Sequence, residues 1–143
     1  NLLTNLAYNK SEMSVFGGEQ LRPNVNINDM IDSYLCVLKS DYKKIQYEVF
    51  NVGYENLKVI EIAELVKKTI NKKVIIKVLP TDDNRSYHIS SGKIEDKLGF
   101  KMNHTVEDAI QELVKAFDDE KYRDPLVNED YFNIKKMQNI SLK

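Results

Sequence analysis

Gly17-Gly18-Glu19-Gln20-Leu21-Arg22-Pro23-Asn24-Val25-Asn26-Ile27-Asn28-Asp29 is the stretch on which the reading of the chain turns. Two successive glycines permit a tight turn or a close backbone approach. Pro23 fixes the backbone just after Arg22 and restricts that arginine to extended conformations, so its guanidinium rides on a stiffened segment. Val25 and Ile27 alternate with Asn24, Asn26 and Asn28, the two-residue period of a half-buried strand, and Asp29 opens an apolar helical pattern. An arginine between a glycine turn and a strand running into a helix suits an anionic group, a diphosphate above all. A β-turn with a solvent-exposed arginine is the other reading that this stretch allows.

Around it lie 143 residues, enough for one domain with a core of its own. A hydrophobic fraction of 42% and a charged fraction of 30% are those of a soluble globular chain. The formal net charge of −1 gives no support to nucleic acid or an anionic membrane as partner. Cys36 is the single cysteine, which excludes an internal disulfide and fits a reducing cytoplasm; within an apolar helical stripe it reads as a buried, inert thiol. No apolar run reaches the length of a membrane span, and the N-terminus lacks a signal-peptide pattern.

The pattern along the chain predicts an α/β domain. Asn1 to Tyr8 reads as the middle or end of an amphipathic helix with Leu2, Leu3, Leu6 and Ala7 on one face, as if the chain began inside an element of a longer protein. Met13–Phe16 is a strand candidate leading into the glycine turn. A helix is predicted over 29–39, a strand over Tyr47–Val52 bounded by Gly53 and a turn at Tyr54-Glu55-Asn56, and a helix over 59–70. Val74–Leu79, nearly continuous in apolar character, reads as a buried strand ended by Pro80. Strand, helix and strand in that order predict a right-handed βαβ unit with parallel strands. Ser90 or Ser91 is placed to cap a short helix ending at Gly99, with Phe100 packing back. Thr105 with Asp108 forms a capping-box variant ahead of a helix whose stripe is Val106, Ala109, Ile110, Leu113, Val114 and Phe117. Residues 1–117 are expected to form the domain and 118–143 a tail that packs through Tyr131, Phe132, Ile134 and Met137.

Catalytic patterns are scarce. There is no G-x-G-x-x-G after a strand and no P-loop. His88 and His104 stand too far apart, with only Cys36 as a softer companion, for a metal set, and read as surface or capping residues. Asp82, Asp83, Glu107 and Asp108 are usable carboxylates with nothing nearby to shift one of a pair, and Asp118-Asp119-Glu120 reads as a solvated helix end. Binding residues are better supplied. Arg22 and Arg85 sit in two loop-like segments beside Phe16, Gln20 and Asn24 in one and Asn84 and Tyr87 in the other. Converging on a diphosphate, each arginine would contribute about 1.5–3 kcal/mol; alternatively Arg85 pairs with Asp82 or Asp83 at the surface, worth about 0–1 kcal/mol.

These residues carry a family resemblance. Asn1-Leu2-Leu3, Val15-Phe16-Gly17-Gly18 and Gln20 through Met30 resemble the corresponding segment of extended short-chain dehydrogenase/reductase enzymes that act on nucleotide sugars. Phe50-Asn51-Val52-Gly53 resembles a second family segment and Ile60-Glu61-Ile62-Ala63 the helix after it. Asp83-Asn84-Arg85-Ser86-Tyr87-His88-Ile89, with Lys93-Ile94 and Leu98-Gly99-Phe100, resembles a third. Order and spacing agree over roughly residues 1 to 117. The resemblance implies that Arg22 clasps the diphosphate of a nucleoside-diphosphate sugar, with Asn1 touching it from the N-terminal helix. Ser14 and Phe16 would line the base with Asn24 beside them, and Asp83, Arg85 and Tyr87 would close over ribose and diphosphate. Asn24 stands where an aromatic residue is common, and Pro80 where some epimerases have a further arginine. Lys93 and Gly99 would serve the fold.

The family's N-terminal Rossmann domain, which holds NAD or NADP, has no counterpart here. Its Tyr-x-x-x-Lys pair has none either: Tyr8 and Lys10 have the wrong spacing, and no other tyrosine has a lysine four residues on in a suitable helix. The resemblance therefore implies a C-terminal substrate-binding region without its catalytic half: no cofactor of its own, no metal and no catalytic residue. The partner implied is the missing Rossmann domain, or a second copy covering the apolar surface that the missing domain would leave. A stand-alone nucleotide-sugar-binding or assembly module is the alternative.

Overall fold

The computed structural model describes residues 1–70, 72–83 and 85–140. Its elements in chain order are α1 (Leu2–Lys10), β1 (Glu12–Phe16), β2 (Leu21–Asn24), α2 (Ile27–Lys39), α3 (Tyr42–Ile45), β3 (Glu55–Lys58), α4 (Val59–Ile70), β4 (Ile75–Leu79), α5 (Gly92–Leu98), α6 (Val106–Asp118), a 3₁₀ turn Glu129–Tyr131 and α7 (Asn133–Ile140). The architecture is mixed α/β with two small sheets. β1 pairs parallel with β4, from Glu12 opposite Ile75 to Phe16 opposite Leu79. β2 pairs antiparallel with β3, from Leu21 opposite Lys58 to Asn24 opposite Glu55.

The core lies where α1, α4 and α6 close over β1. Ala7, Met13, Val15, Ala63, Val66, Ile70, Val74 and Ile110 form one buried cluster, flanked by half-buried Leu3, Leu6 and Val114. The helical spacing read from sequence put these residues inward, as an amphipathic face requires. Leu2 is an exception: it stands largely exposed, while Thr4 takes the buried place on α1. α6 is capped as expected, Thr105 accepting from the Asp108 N–H while the Asp108 carboxylate accepts from the Thr105 N–H. Gly99 closes α5 in the left-handed conformation at φ 72°, and Phe100 is buried behind it. Ser91 is the N-cap of α5 by position, but its hydroxyl reaches Gly53, accepting from that residue's N–H (2.9 Å) and donating to its carbonyl (2.7 Å).

Four sequence expectations are corrected. Val25 and Ile27 do not extend a strand: β2 ends at Asn24, and the Asn26 side chain accepts from the Asn28 N–H, starting α2 at Ile27. A cap outweighs three residues of alternation. Tyr47–Val52 is not a strand, and the ladder forms one turn later at Glu55–Lys58, where a turn was expected. Tyr47 is left-handed at φ 59°, and the carbonyl of Val49 accepts from Lys93 of α5 rather than from a neighbouring strand. Consequently the parallel pair is β1 with β4, and the crossover between them holds β2, α2, α3, β3 and α4, in place of a unit built from 47–52, α4 and β4. Finally, β4 is not buried; Ile75, Val78 and Leu79 are exposed, because only one strand lies beside it and little packs over it. Cys36 is half-buried, its thiol 3.9 Å from the Leu98 carbonyl.

The tail packs at its root. Tyr8, Phe117, Tyr122 and Tyr131 form a run of ring contacts at 5.0, 5.7 and 5.5 Å between centroids, each pair worth about 0.5–1.5 kcal/mol beyond its burial. The Asn5 amide adds a 2.7 Å bond to the Pro125 carbonyl. Further out, Ile134 and Met137 face solvent.

Candidate functional site

The glycine turn and the strand after it set the position of Arg22. Gly17 and Gly18 have φ of 75° and 113°, a region L side chains enter with strain. The turn is tied on both sides: the Gly17 N–H donates to the Leu79 carbonyl (2.8 Å), and the Ile60 N–H to the Gly18 carbonyl (3.0 Å). Gln20 fastens it further, accepting from the Gly18 N–H and donating to the Phe16 carbonyl. From this turn β2 carries Arg22 outward opposite Leu57, with Pro23 tolerated because β2 is hydrogen-bonded to a single neighbour.

Arg22 is held by backbone carbonyls and faces a carboxylate. Its Nη1 donates to the carbonyls of Leu21 (2.9 Å) and Arg85 (2.6 Å). Its Nη2 lies 3.7 Å from Asp83 Oδ2, and its guanidinium carbon 5.4 Å from the centroid of the Tyr87 ring. The segment that brings these residues is laced to the strands: Ser86 accepts from the Leu21 N–H, the Tyr87 N–H donates to the Leu21 carbonyl, and Asn56 exchanges two hydrogen bonds with Ile89. Arg85 is clasped by Asp83 through Nε at 2.7 Å and Nη2 at 2.9 Å. Those bonds, with the charge of Arg85 and then of Arg22, hold the Asp83 carboxyl far below the usual carboxylate range. The Asp83 bond raises Arg85 above its ordinary value in return. Two guanidinium groups and one carboxylate leave one net positive charge at the node.

Of the residues singled out from sequence, Arg22, Asp83, Arg85 and Tyr87 come together, although Arg85 also realises the local pairing with Asp83. Asn1 and Asn24 share with Arg22 a cleft of about 320 Å³, whose far wall is apolar, from Ile62 and Val66 of α4 to Val106, Ile110 and Leu113 of α6. Asn24 serves the strand end, its amide donating to the carbonyls of Arg22 (2.8 Å) and Glu55 (3.0 Å). Asp83 and Ser86 line a second hollow of about 390 Å³ with the glycine turn and Thr81. Ser14 and Phe16 stand apart: they point away from the buried Met13 and Val15, beside Lys77 and Leu79 of β4, and line neither cleft. Asn84 lies outside the described residues.

A second polar node escaped the sequence reading. Asp29 is fully buried and accepts from the Asn103 N–H (3.0 Å), the His104 N–H (3.0 Å) and His104 Nδ1 (2.9 Å). Burial pushes its carboxyl up, but the bonds from Asn103 and His104 prevail and lower it; the Asp29 bond raises His104. Glu55 adds a bond to the Val106 N–H at the start of α6. Together these bonds fix the start of α6 against α2 and β3. Asn26, beside the first cleft, has a buried side-chain N–H group without a partner among the described residues. No local signal marks Asp29 in the sequence, because it lies on the side of α2 opposite the apolar stripe, which periodicity alone would turn to solvent. His104 is paired with Asp29, His88 is exposed, and no cluster suited to a metal occurs among the described residues. Two tyrosines do have a lysine four residues on, but Tyr54 leads into Lys58 along β3, and Tyr131 leads into Lys135 across the break before α7.

No family model matches the chain. An uncharacterized protein of Methanocaldococcus jannaschii is 33% identical over 111 residues, which are 74% of this chain and 33% of that protein. The chain thus spans about a third of the length of that protein. Among solved structures, a UDP-glucose 4-epimerase from Thermotoga maritima, determined with UDP-glucose, superposes with a TM-score of 0.69 at 23% identity, over 85% of this chain and 39% of that one. A dTDP-glucose 4,6-dehydratase from Bacillus anthracis, determined with NAD, gives 0.69 at 21% identity, over 94% and 40%. An L-threonine dehydrogenase from Clostridium difficile gives 0.71 at 13% identity, over 82% and 39%. The chain therefore has the fold of about two-fifths of a group of enzymes that includes nucleotide-sugar epimerases and dehydratases as well as L-threonine dehydrogenases.

Proposed function

We propose that this chain is the nucleotide-sugar-binding, C-terminal part of an NAD(P)-dependent epimerase or dehydratase of the extended short-chain dehydrogenase/reductase type, and that it turns over no substrate alone. The observation that carries this reading is the junction of Arg22, Arg85, Asp83 and Tyr87. Two arginines from segments 63 residues apart meet through the Arg85 carbonyl and the shared Asp83 carboxylate, and Arg22 also lines a cleft whose opposite wall is apolar. A diphosphate brings the charge that this node lacks, and the two planar forks can grip it, with Asp83 released toward a ribose hydroxyl and Tyr87 over the sugar end. Asn1 reaches the same cleft. Ser14 and Phe16 belong to the proposal as base-lining residues only if the base lies against the β1–β4 face. The arginine pair favours this substrate class over a small amino acid such as L-threonine, which offers one carboxylate.

A nicotinamide cofactor supplies hydride transfer in such enzymes. The residues here do not form a place for it: Gly17-Gly18 leads from a strand into another strand, and Val15 and Ile60 pack against Gly18, where a phosphate cradle would leave room. The dinucleotide domain therefore belongs to a partner chain or to sequence beyond this stretch. Isothermal calorimetry with UDP-, dTDP-, GDP- and CDP-sugars tests the binding claim. One of them is expected to bind at one site per chain, and Arg22→Ala to weaken it by about ten- to a hundredfold, the equivalent of one lost charge-assisted contact of about 1.5–3 kcal/mol. Unchanged affinity in the variant removes the diphosphate role. Epimerisation, dehydration or NAD(P)H formation by the purified chain would contradict the claim of no turnover.

A further inference from the structure

Asn26 has its hydrogen-bonding groups only half matched. The residue is 5% exposed, and its Oδ1 accepts from the Asn28 N–H at 2.9 Å as the N-cap of α2, yet its Nδ2 has no partner among the described residues. A buried amide N–H left unmatched is costly, and such groups mark places where a ligand or water completes the pairing. Asn26 lines the Arg22 cleft, and so does Asn24, two positions before it. The Asn24 amide nitrogen donates to two backbone carbonyls, of Arg22 (2.8 Å) and Glu55 (3.0 Å), so its Oδ1 remains as an acceptor with no donor among the described residues. One donor and one acceptor thus border the same cleft. Ile62, Val66, Val106 and Leu113 supply its aliphatic wall. None of the described lining residues is aromatic, and Arg22 alone has a charged side chain.

We propose that this cleft is the sugar subsite and that Asn26 is a specificity-determining residue in it, its Nδ2 donating to one ring hydroxyl while a neighbouring hydroxyl donates to Asn24 Oδ1. This rests on the nucleotide-sugar reading, in which Arg22, lining the same cleft, holds the diphosphate. A hydroxyl both donates and accepts, so a vicinal pair matches a donor beside an acceptor. The C–H face of a hexose suits the aliphatic wall, whereas a nucleobase finds no ring there to stack on. A neutral lining suits a neutral sugar, because a buried charge would have nothing to pair with. Taking up the hydroxyl requires the Asn26 amide to turn its N–H toward the cleft while its oxygen keeps the bond to the Asn28 N–H, so the contact belongs to the bound form.

Calorimetry of the whole chain with UDP-glucose against UDP, and with dTDP-glucose against dTDP, tests this in the parent chain, Asn26→Ser and Arg22→Ala. Serine keeps an oxygen to cap α2 and lacks the amide N–H, so the variant is expected to fold. The ratio of sugar-nucleotide to nucleotide affinity is expected to fall about tenfold in Asn26→Ser. It is expected to stay unchanged in Arg22→Ala, which weakens both ligands alike. In ¹H–¹⁵N spectra of the parent chain, the Asn26 side-chain amide signals are expected to shift on saturation with the sugar nucleotide and to stay still with the nucleotide alone, a response that a residue serving only as a cap does not give. An unchanged ratio in Asn26→Ser, with binding still sensitive to Arg22→Ala, overturns the sugar contact and leaves the diphosphate site standing. Asn26 amide signals that stay still on saturation with the sugar nucleotide overturn it whether or not the variant folds. Failure of all four ligands to bind overturns both readings.

Discussion

Asp29 concentrates more consequence in one side chain than any other described residue, because a buried carboxylate that accepts three hydrogen bonds leaves three groups unsatisfied when it is removed. Asp29→Ala is expected to cost about 3 kcal/mol, read from the urea midpoint, with nucleotide-sugar binding retained at concentrations where the variant is folded. The pair also fixes a pH dependence. The His104 value is raised, so its contribution is complete below the ordinary imidazole value and fades as pH rises through the higher folded-state value. The Asp29 value is lowered, so its contribution is complete above the ordinary carboxylate value and fades as pH falls through the lower folded-state one. Between these limits both act. Urea midpoints are therefore expected to decline from mildly acidic to mildly alkaline pH, and to flatten over that range in His104→Gln. A midpoint that rises through that range in the parent chain would contradict the pairing.

At the scale of elements, the glycine turn positions the site, and both of its residues have a positive φ and neighbours close to where a Cβ would sit. A Cβ on Gly18 would sit 3.2 Å from the Ile60 Cβ on a backbone at φ 113°, so Gly18→Ala is expected to destabilise by about 1–3 kcal/mol in chemical denaturation. Helices with a strong stripe or a cap, α4, α5 and α6, were legible in the sequence because both signals are local. The misread elements depend on neighbours. Val25 and Ile27 looked like a strand because alternation over a few residues competes with an asparagine cap two residues from its target. Tyr47–Val52 has a strand's composition, but the structure sets α5 beside it, and Lys93 and Lys97 hold the Glu48 carboxyl down at about 2. Arg22, Asp83, Arg85 and Tyr87 are singled out by the sequence as candidates, and the structure brings their side chains together. Ser14 and Phe16 were singled out with the same motif and stand elsewhere, since a motif fixes order along the chain while the β1–β4 register fixes the face.

Across the whole molecule, a core shared by three helices and one strand supports a charged node on one side and an apolar helix stripe on another. No helix among the described residues is long and apolar enough to cross a membrane. Division at residue 117 into a binding domain and a tail remains a proposal, and it has its own test. The ring contacts tie the tail to α1 and α6, so Tyr122→Ala is expected to loosen residues beyond 118 toward protease while the domain resists. The three arginines of the chain, Arg22, Arg85 and Arg123, give the most direct measurement of its proposed role, because each has one resolvable side-chain Nε–H signal. On titration with UDP-glucose or dTDP-glucose, followed by ¹H–¹⁵N NMR, Arg22 and Arg85 are expected to shift together to one saturating endpoint while Arg123 stays still. Saturable binding that leaves the Arg22 signal unmoved would contradict the diphosphate site.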